Sequence, residues 1–233
     1  MKETQNETIN AKMVSFGKNM GATDIGFADI SDLKDNTNLG YERAVSVIIR
    51  LSTGILKEIK NEPTITYFSH YRTLNRHIDM VTLRISLWLE ERGYPSFAVP
   101  ASQSLPSAKG IYTGIFQHKT AAVLSGKGFI GKSALFIHRD FGPAVRLGTV
   151  LTNAPFKTKK ITPLSECGDC QICRKSCPAM AIEGNNWSPG MARNELFDAK
   201  SCSDHMKVAY QHIGRGVVCG LCIVNCPYYR KNL

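Results

Sequence analysis

The first 166 residues of this 233-residue chain contain no cysteine, which confines any thiol chemistry to the last 67. No run approaches the ~18 apolar residues that a membrane-spanning helix requires. Met1 to Thr8 is polar and lacks the apolar centre of a signal peptide. Acidic residues are the scarcer charge, 19 Asp and Glu against 29 Lys and Arg, giving a formal net charge of +10. These absences point to a soluble cytoplasmic protein without a membrane partner. The 43% hydrophobic content is enough for a real core, in one large domain or one domain plus a small module.

What the tail does contain is order. Cys167, Cys170, Cys173 and Cys177 read C-x2-C-x2-C-x3-C and are followed by Pro178. After a lone Cys202, Cys219, Cys222 and Cys226 read C-x2-C-x3-C and are followed by Pro227. The first run has the bacterial ferredoxin spacing for a [4Fe–4S] cluster, in which the fourth cysteine serves the other cluster. That rule assigns Cys167, Cys170, Cys173 and Cys226 to one cluster. Cys177, Cys202, Cys219 and Cys222 go to the other. Three thiolates at short intervals wrap one side of a cubane, and the fourth corner needs a ligand from elsewhere. Two four-cysteine zinc sites are the competing reading. Disulfides suit such dense spacing poorly.

The charge needs correction for those ligands. Each cluster with four thiolates carries about −2, which brings the total to about +6. The basic residues are scattered, with one short run at Lys157, Lys159 and Lys160. An acidic electron donor or an anionic cofactor accounts for such a surface better than nucleic acid does.

Along the chain, residues 5–20 read as a helix with Ile9, Met13 and Met20 near one face. Ala44 to Leu51 reads as a buried strand. Tyr67 to Arg92 reads as a long amphipathic helix on Leu74, Ile78, Val81, Ile85, Trp88 and Leu89, ended by Gly93 and Pro95. His70 and His77 on it read as ordinary helix histidines. Phe97 to Pro100 reads as a short strand and Gln103 to Gly110 as loop. Lys119 to Ser125 fits helix or strand equally. Ala134 to Ile137 and Arg146 to Leu151 read as strands around a turn at Asp140-Phe141-Gly142-Pro143. Pro155 to Thr162 is polar and basic and reads as a linker. The expected division is therefore an α/β domain over 1–160 and a cysteine module over 161–233.

Gly126-Lys127-Gly128-Phe129-Ile130-Gly131-Lys132-Ser133 satisfies G-x4-G-K-S, the phosphate-cradling loop of nucleotide hydrolases. That loop needs a helix after it and an acidic strand end elsewhere. Ala134 to His138 reads as strand instead, and no apolar run ending in Asp follows. The glycines then serve a tight turn or a close backbone approach.

The segment GKGFIGKS, the Phe141-Gly142-Pro143 turn, Leu147 to Thr152 and the eight-cysteine order together resemble the epoxyqueuosine reductase family. The resemblance covers roughly residues 65–230, and the family is itself similar to corrinoid-dependent reductive dehalogenases. It implies a nitroreductase-like α/β N-terminal domain followed by a small bacterial-ferredoxin-like module with two [4Fe–4S] clusters, an α+β chain overall. It also implies cobalamin, with Gly126, Gly128, Phe129, Ile130, Gly131 and Lys132 as its binding residues. Phe129 stands where the family has Trp, and Ser133 where it has Asn. The family's catalytic Asp aligns with Tyr112, in a stretch without any acid. Tyr112 and His118 are the candidate proton donors in its place. Lys119, Lys132 and Arg146 are candidates for neutralising an anionic ligand. The helical-repeat domain that helps hold tRNA in the family has no counterpart after Cys226, so the expectation is against tRNA and for an unknown small-molecule substrate. The reading that follows is an iron–sulfur oxidoreductase fed by a donor such as ferredoxin or flavodoxin. A non-enzymatic electron carrier and a cluster-coupled ATPase are the alternatives.

Overall fold

Positions 78, 81, 82, 85, 86 and 89 are all buried, and their steps of three and one trace one face of an α-helix. In the computed structural model, which describes residues 8–33, 37–102 and 114–231, that helix runs Ile65–Glu90. It is α3, after α1 (Ile9–Asn19) and the single turn α2 (Thr53–Leu56). The strands are β1 (Asp24–Asp29), β2 (Arg43–Arg50), β3 (Ser96–Val99), β4 (Gly128–Ile130), β5 (Phe136–His138) and β6 (Val145–Thr152). Helix α4 (His118–Leu124) resolves the segment that fitted helix or strand equally. The expected loop over 103–110 and the candidate Tyr112 lie outside the described residues.

The chain forms two compact units, each built from three separated segments. One comprises Met1–Ile49, Arg76–Gly126 and Leu147–Ile161; the other comprises Arg50–Asn75, Lys127–Arg146 and Thr162–Leu233. The expected linear division after residue 160 differs from this. The cysteine segment shares its unit with two earlier stretches, 50–75 and 127–146.

In the first unit, β1, β2, β6 and β3 lie in that order in one sheet, with β1 antiparallel to β2 and β3 antiparallel to β6. Ala44 to Ile49 of β2 are buried without alternation, the pattern of a strand covered on both faces. Helices α1 and α4 pack against β1. A Cβ at Gly148 of β6 would stand 2.5 Å from Ile78 Cγ2 and 2.8 Å from Thr82 Cγ2, so α3 rests directly on the strand there.

The expected linker after Pro155 is not free. Phe156 is buried and stacks on Phe27 with ring centroids 4.6 Å apart. The Asn10 side chain donates to the Lys157 carbonyl and accepts from the Lys157 amide, both at 3.0 Å, as a strand neighbour would. Composition reads this stretch as polar, but one aromatic and one amide suffice to pin it.

The second unit is centred on an apolar cluster of Leu51, Leu56, Ile59, Tyr67, Ala144, Leu221, Ile223 and Tyr229. Its members come from all three segments of the unit. Among the described residues, no helix is long and apolar enough to cross a membrane.

Candidate metal centres

The cysteines lie on short turns, which is what their spacing dictates. Cys167 is followed by Gly168 at φ 53°, and the Cys170 amide donates back to the Cys167 carbonyl at 3.1 Å. Cys173 sits in the single turn α5 (Ile172–Lys175). Cys202 sits in α6 (Ala199–Ala209), whose first turn is capped by Asp198 accepting from the Lys200 and Ser201 amides. Cys222 sits in α7 (Leu221–Val224), entered through Gly220 in the left-handed region. Cys226 caps α8 (Pro227–Arg230), with Pro227 at the first helical position, where no backbone N–H is needed. Turns α5 and α7 pack on each other.

All eight thiols are free. Burial pushes the Cys173 thiol up, and so do its neighbours Cys167 and Cys170. Burial lifts Cys226 to about 11, opposed by the amides of Tyr228 and Tyr229 and assisted by Cys167 and Cys173. Burial also lifts Cys202 to about 11, with Cys177 and Cys219 next in effect. Cys222 is pushed far above the ordinary thiol range by burial, then by Cys219, Cys202 and Cys177, and last by Cys173. Burial raises Cys219 as well, against the Leu221 amide and the Tyr210 hydroxyl, which hydrogen-bond to it. These influences run mostly within Cys167, Cys170, Cys173 and Cys226 and within Cys177, Cys202, Cys219 and Cys222, with Cys173 also acting on Cys222.

Independent geometry ties the first four together. The Tyr228 hydroxyl, two residues after Cys226, donates to the Glu166 carbonyl next to Cys167 at 3.0 Å. Arg139 pairs with the Glu166 carboxylate at 3.2 Å. Cys219, Cys222 and Cys226 pack against the apolar cluster, which excludes water from their sulfurs. Among the described residues, no group of three or more His, Cys, Asp or Glu could hold a single metal ion.

The glycine-rich segment forms a hairpin. Gly128 to Ile130 pair antiparallel with Phe136 to His138, and the turn between them carries Ala134 at φ 56°. No helix follows Lys132 and Ser133, so the segment lacks the geometry of a phosphate loop. Its glycines also have a reason other than approach to a flat ring. A Cβ at Gly128 would fall 1.9 Å from the Ile137 carbonyl oxygen, and one at Gly131 would meet the Ile137 side chain at 2.9 Å and Cys167 Sγ at 3.5 Å. Gly126 follows the end of α4 at φ 75°. Phe129, 2% exposed, sets its ring edge-on to Tyr228 at 5.2 Å. Ile130 and Lys132 are buried too. Of the six residues expected to hold a corrinoid, Gly131 and Phe129 are structural neighbours of the Cys167 end.

His118, the described candidate proton donor, is held at both ring nitrogens. Nε2 lies 3.1 Å from the Pro100 carbonyl, which can only accept, so Nδ1 accepts from the Thr149 hydroxyl at 2.9 Å. Arg146 forks onto Asn75 Oδ1 at 2.7 and 3.1 Å and lies over the Tyr71 ring at 4.1 Å. Sequence reasoning missed Tyr228, Tyr210 and His205. The signal for His205 was available: it follows Cys202 by three residues on one helix.

Comparison with models of protein families finds no match. Over 120 residues the chain is 34% identical to an epoxyqueuosine reductase of Listeria monocytogenes, covering 51% of this chain and 31% of that protein. It is 30% identical over 135 residues to a tetrachloroethene reductive dehalogenase of Sulfurospirillum multivorans, covering 56% and 26%. The chain is a relative of both groups of reductases. It spans about a third of the length of these curated relatives. In fold, it matches a catabolic reductive dehalogenase with a TM-score of 0.73 at 17% identity, over 98% of this chain and 33% of that one. It also matches an epoxyqueuosine reductase solved with a modified tRNA stem loop, with a TM-score of 0.59 at 18% identity, over 96% and 66%.

Proposed function

We propose that this chain is an iron–sulfur oxidoreductase that moves electrons through two [4Fe–4S] clusters to a reducible cofactor or substrate. The observation that carries the reading is eight free thiols in ferredoxin-type spacing, set on short turns in one compact unit; the reading divides them into two fours, with each run lending its last cysteine to the other. The donor set fits: four soft thiolates per site, on short turns, against an apolar wall. Clusters bound there supply one-electron transfer. The protein's own part is to exclude water with Leu51, Leu56, Ile59 and Tyr67, and to fix the cysteine turns through Tyr228.

A ferredoxin-like arrangement of the cysteine segment, a nitroreductase-like first unit and a reducing cytoplasm belong to the same reading. So does a small acidic donor such as ferredoxin or flavodoxin, drawn to the basic chain. The resemblance puts cobalamin forward as the acceptor. The Cβ positions missing at Gly128 and Gly131 are taken up by Ile137, so those two glycines have a packing reason of their own besides any approach to a ring. That same observation favours the second reading, an electron carrier with a recognition unit. The expectation against tRNA meets a contrary observation in the tRNA-bound structural neighbour, and a modified tRNA base stands beside small organic substrates.

The test is anaerobic purification with iron and sulfide analysis, then titration with cob(II)alamin followed by electron paramagnetic resonance. About eight irons and eight sulfides support the two clusters. Zinc without acid-labile sulfide sinks the proposal. A cobalt signal identical to free cofactor leaves the carrier reading in place.

A further inference from the structure

Helix α6 carries Cys202 and, three residues on and therefore on the same face, His205. The His205 Nε2 atom is buried and has no hydrogen-bond partner among the described residues. Its ring stands edge-on to Tyr210, with centroids 5.4 Å apart and planes at 86°. Tyr210 is 5% exposed, and its amide closes the helix onto the Met206 carbonyl at 3.1 Å. Its hydroxyl hydrogen-bonds Cys219. Two polar groups on one helix end thus meet the four formed by Cys177, Cys202, Cys219 and Cys222.

A buried ring nitrogen needs a hydrogen-bond partner, and in the Nε2–H tautomer that partner is an acceptor. The amides and carbonyls of α6 satisfy one another, so the acceptor must come from beyond the helix. A cluster held by Cys202 and Cys219 presents bridging sulfides, which accept hydrogen bonds. Such bonds are among the levers that set a cluster's reduction potential. The sign follows from charge. Reduction adds an electron whose density falls largely on sulfur, so a donor stabilises the reduced state more than the oxidised one.

We propose that His205 and Tyr210 are positioning residues that donate hydrogen bonds to the cluster of Cys177, Cys202, Cys219 and Cys222, and so raise its reduction potential. The inference rests on the two-cluster reading above. It assigns the two sites different potentials, because no equivalent His–Tyr pair is described beside Cys167, Cys170, Cys173 and Cys226. The site with the higher potential holds the electron longer, which gives the relay a direction.

The experiment is a redox titration of the full, anaerobically reconstituted chain, followed by electron paramagnetic resonance. Tyr210→Phe keeps the ring and removes the hydroxyl; His205→Leu removes the donor; His205→Gln replaces it with an amide donor. The expected result is that Tyr210→Phe and His205→Leu each shift one midpoint potential to more negative values and leave the other unmoved. His205→Gln restores part of the shift. Unchanged potentials in Tyr210→Phe and in both His205 variants, with eight irons retained, overturn the inference and leave the two-cluster reading standing. Equal shifts of both potentials also overturn it. Fewer than eight irons in the unaltered chain overturns the two-cluster reading itself, and this inference with it.

Discussion

The Tyr228 hydroxyl donates to the Glu166 carbonyl across 62 residues of sequence, and in doing so joins the end of the second cysteine run to the start of the first. The chain is thereby held closed beside Cys226 and Cys167, which the proposed function assigns to one cluster. Removing the hydroxyl by Tyr228→Phe should cost about 1 kcal/mol, the usual value of one neutral hydrogen bond. The expected signature is selective: iron leaves the Cys167 site first on exposure to air, read as loss of one of two paramagnetic signals. Equal lability of both would count against the link.

The shared fourth ligands give a sharper contrast. Cys177→Ala should damage the cluster otherwise held by Cys202, Cys219 and Cys222, whereas Cys170→Ala should damage the other. Mössbauer and paramagnetic spectra of the two variants should therefore be complementary. Identical spectra would mean that each run fills its own site.

Gly142 and Gly168 share the left-handed backbone region, at φ 57° and 53°, but not the same surroundings. A Cβ at Gly142 would press within 2.7 Å of the Tyr228 and Tyr229 backbone, whereas one at Gly168 meets nothing within 4 Å. Gly168→Ala should cost about 1 kcal/mol from backbone strain alone. Gly142→Ala should cost several-fold more and lower the thermal midpoint of the second unit accordingly. Similar midpoints for the two variants would show that the close approach carries no energy.

His70 supplies a pH dependence. Its Nε2 accepts from the Ser52 amide at 3.1 Å, which only the neutral ring can do. Burial holds its pKa below the ordinary 6.5. A depressed folded pKa contributes stability above the unfolded value, and that contribution is lost as pH falls from about 6.5 through the folded value. His70→Gln keeps an acceptor that does not titrate. The drop in thermal midpoint between pH 7.5 and 5.5 should be smaller in this variant than in the unaltered chain; equal drops would remove His70 from the account.

The long periodic elements were readable in the sequence, and the reason is repetition. Helix α3 repeats its apolar face from Leu74 to Leu89, a little over four turns, and β2 is one apolar run, so each pattern rises above chance. Helix α4 has too few residues to separate one period from another. Helix α6 buries no residue fully, so it carries no stripe at all, and Cys202 stood alone in the reading. The short turns that carry the cysteines were legible because their spacing is a local property. What the sequence hid was long-range: that Gly131 faces Cys167, that Phe156 anchors a polar stretch, and that residues 50–75 share a unit with the tail. Those facts depend on which distant segments meet, and no window of sequence contains them.

The three-segment build of the second unit also sets an order of events at the ribosome. Leu51, Leu56, Ile59 and Tyr67 emerge some 150 residues before Leu221 and Ile223, with which they pack. At synthesis rates of about 5–20 residues per second that interval is on the order of 10–30 s. Throughout it the apolar cluster lacks Leu221, Ile223 and Tyr229, although Leu51, Leu56, Ile59 and Tyr67 already have one another and, later, Ala144. A half-built apolar wall of this kind is the part of the nascent chain most exposed to aggregation.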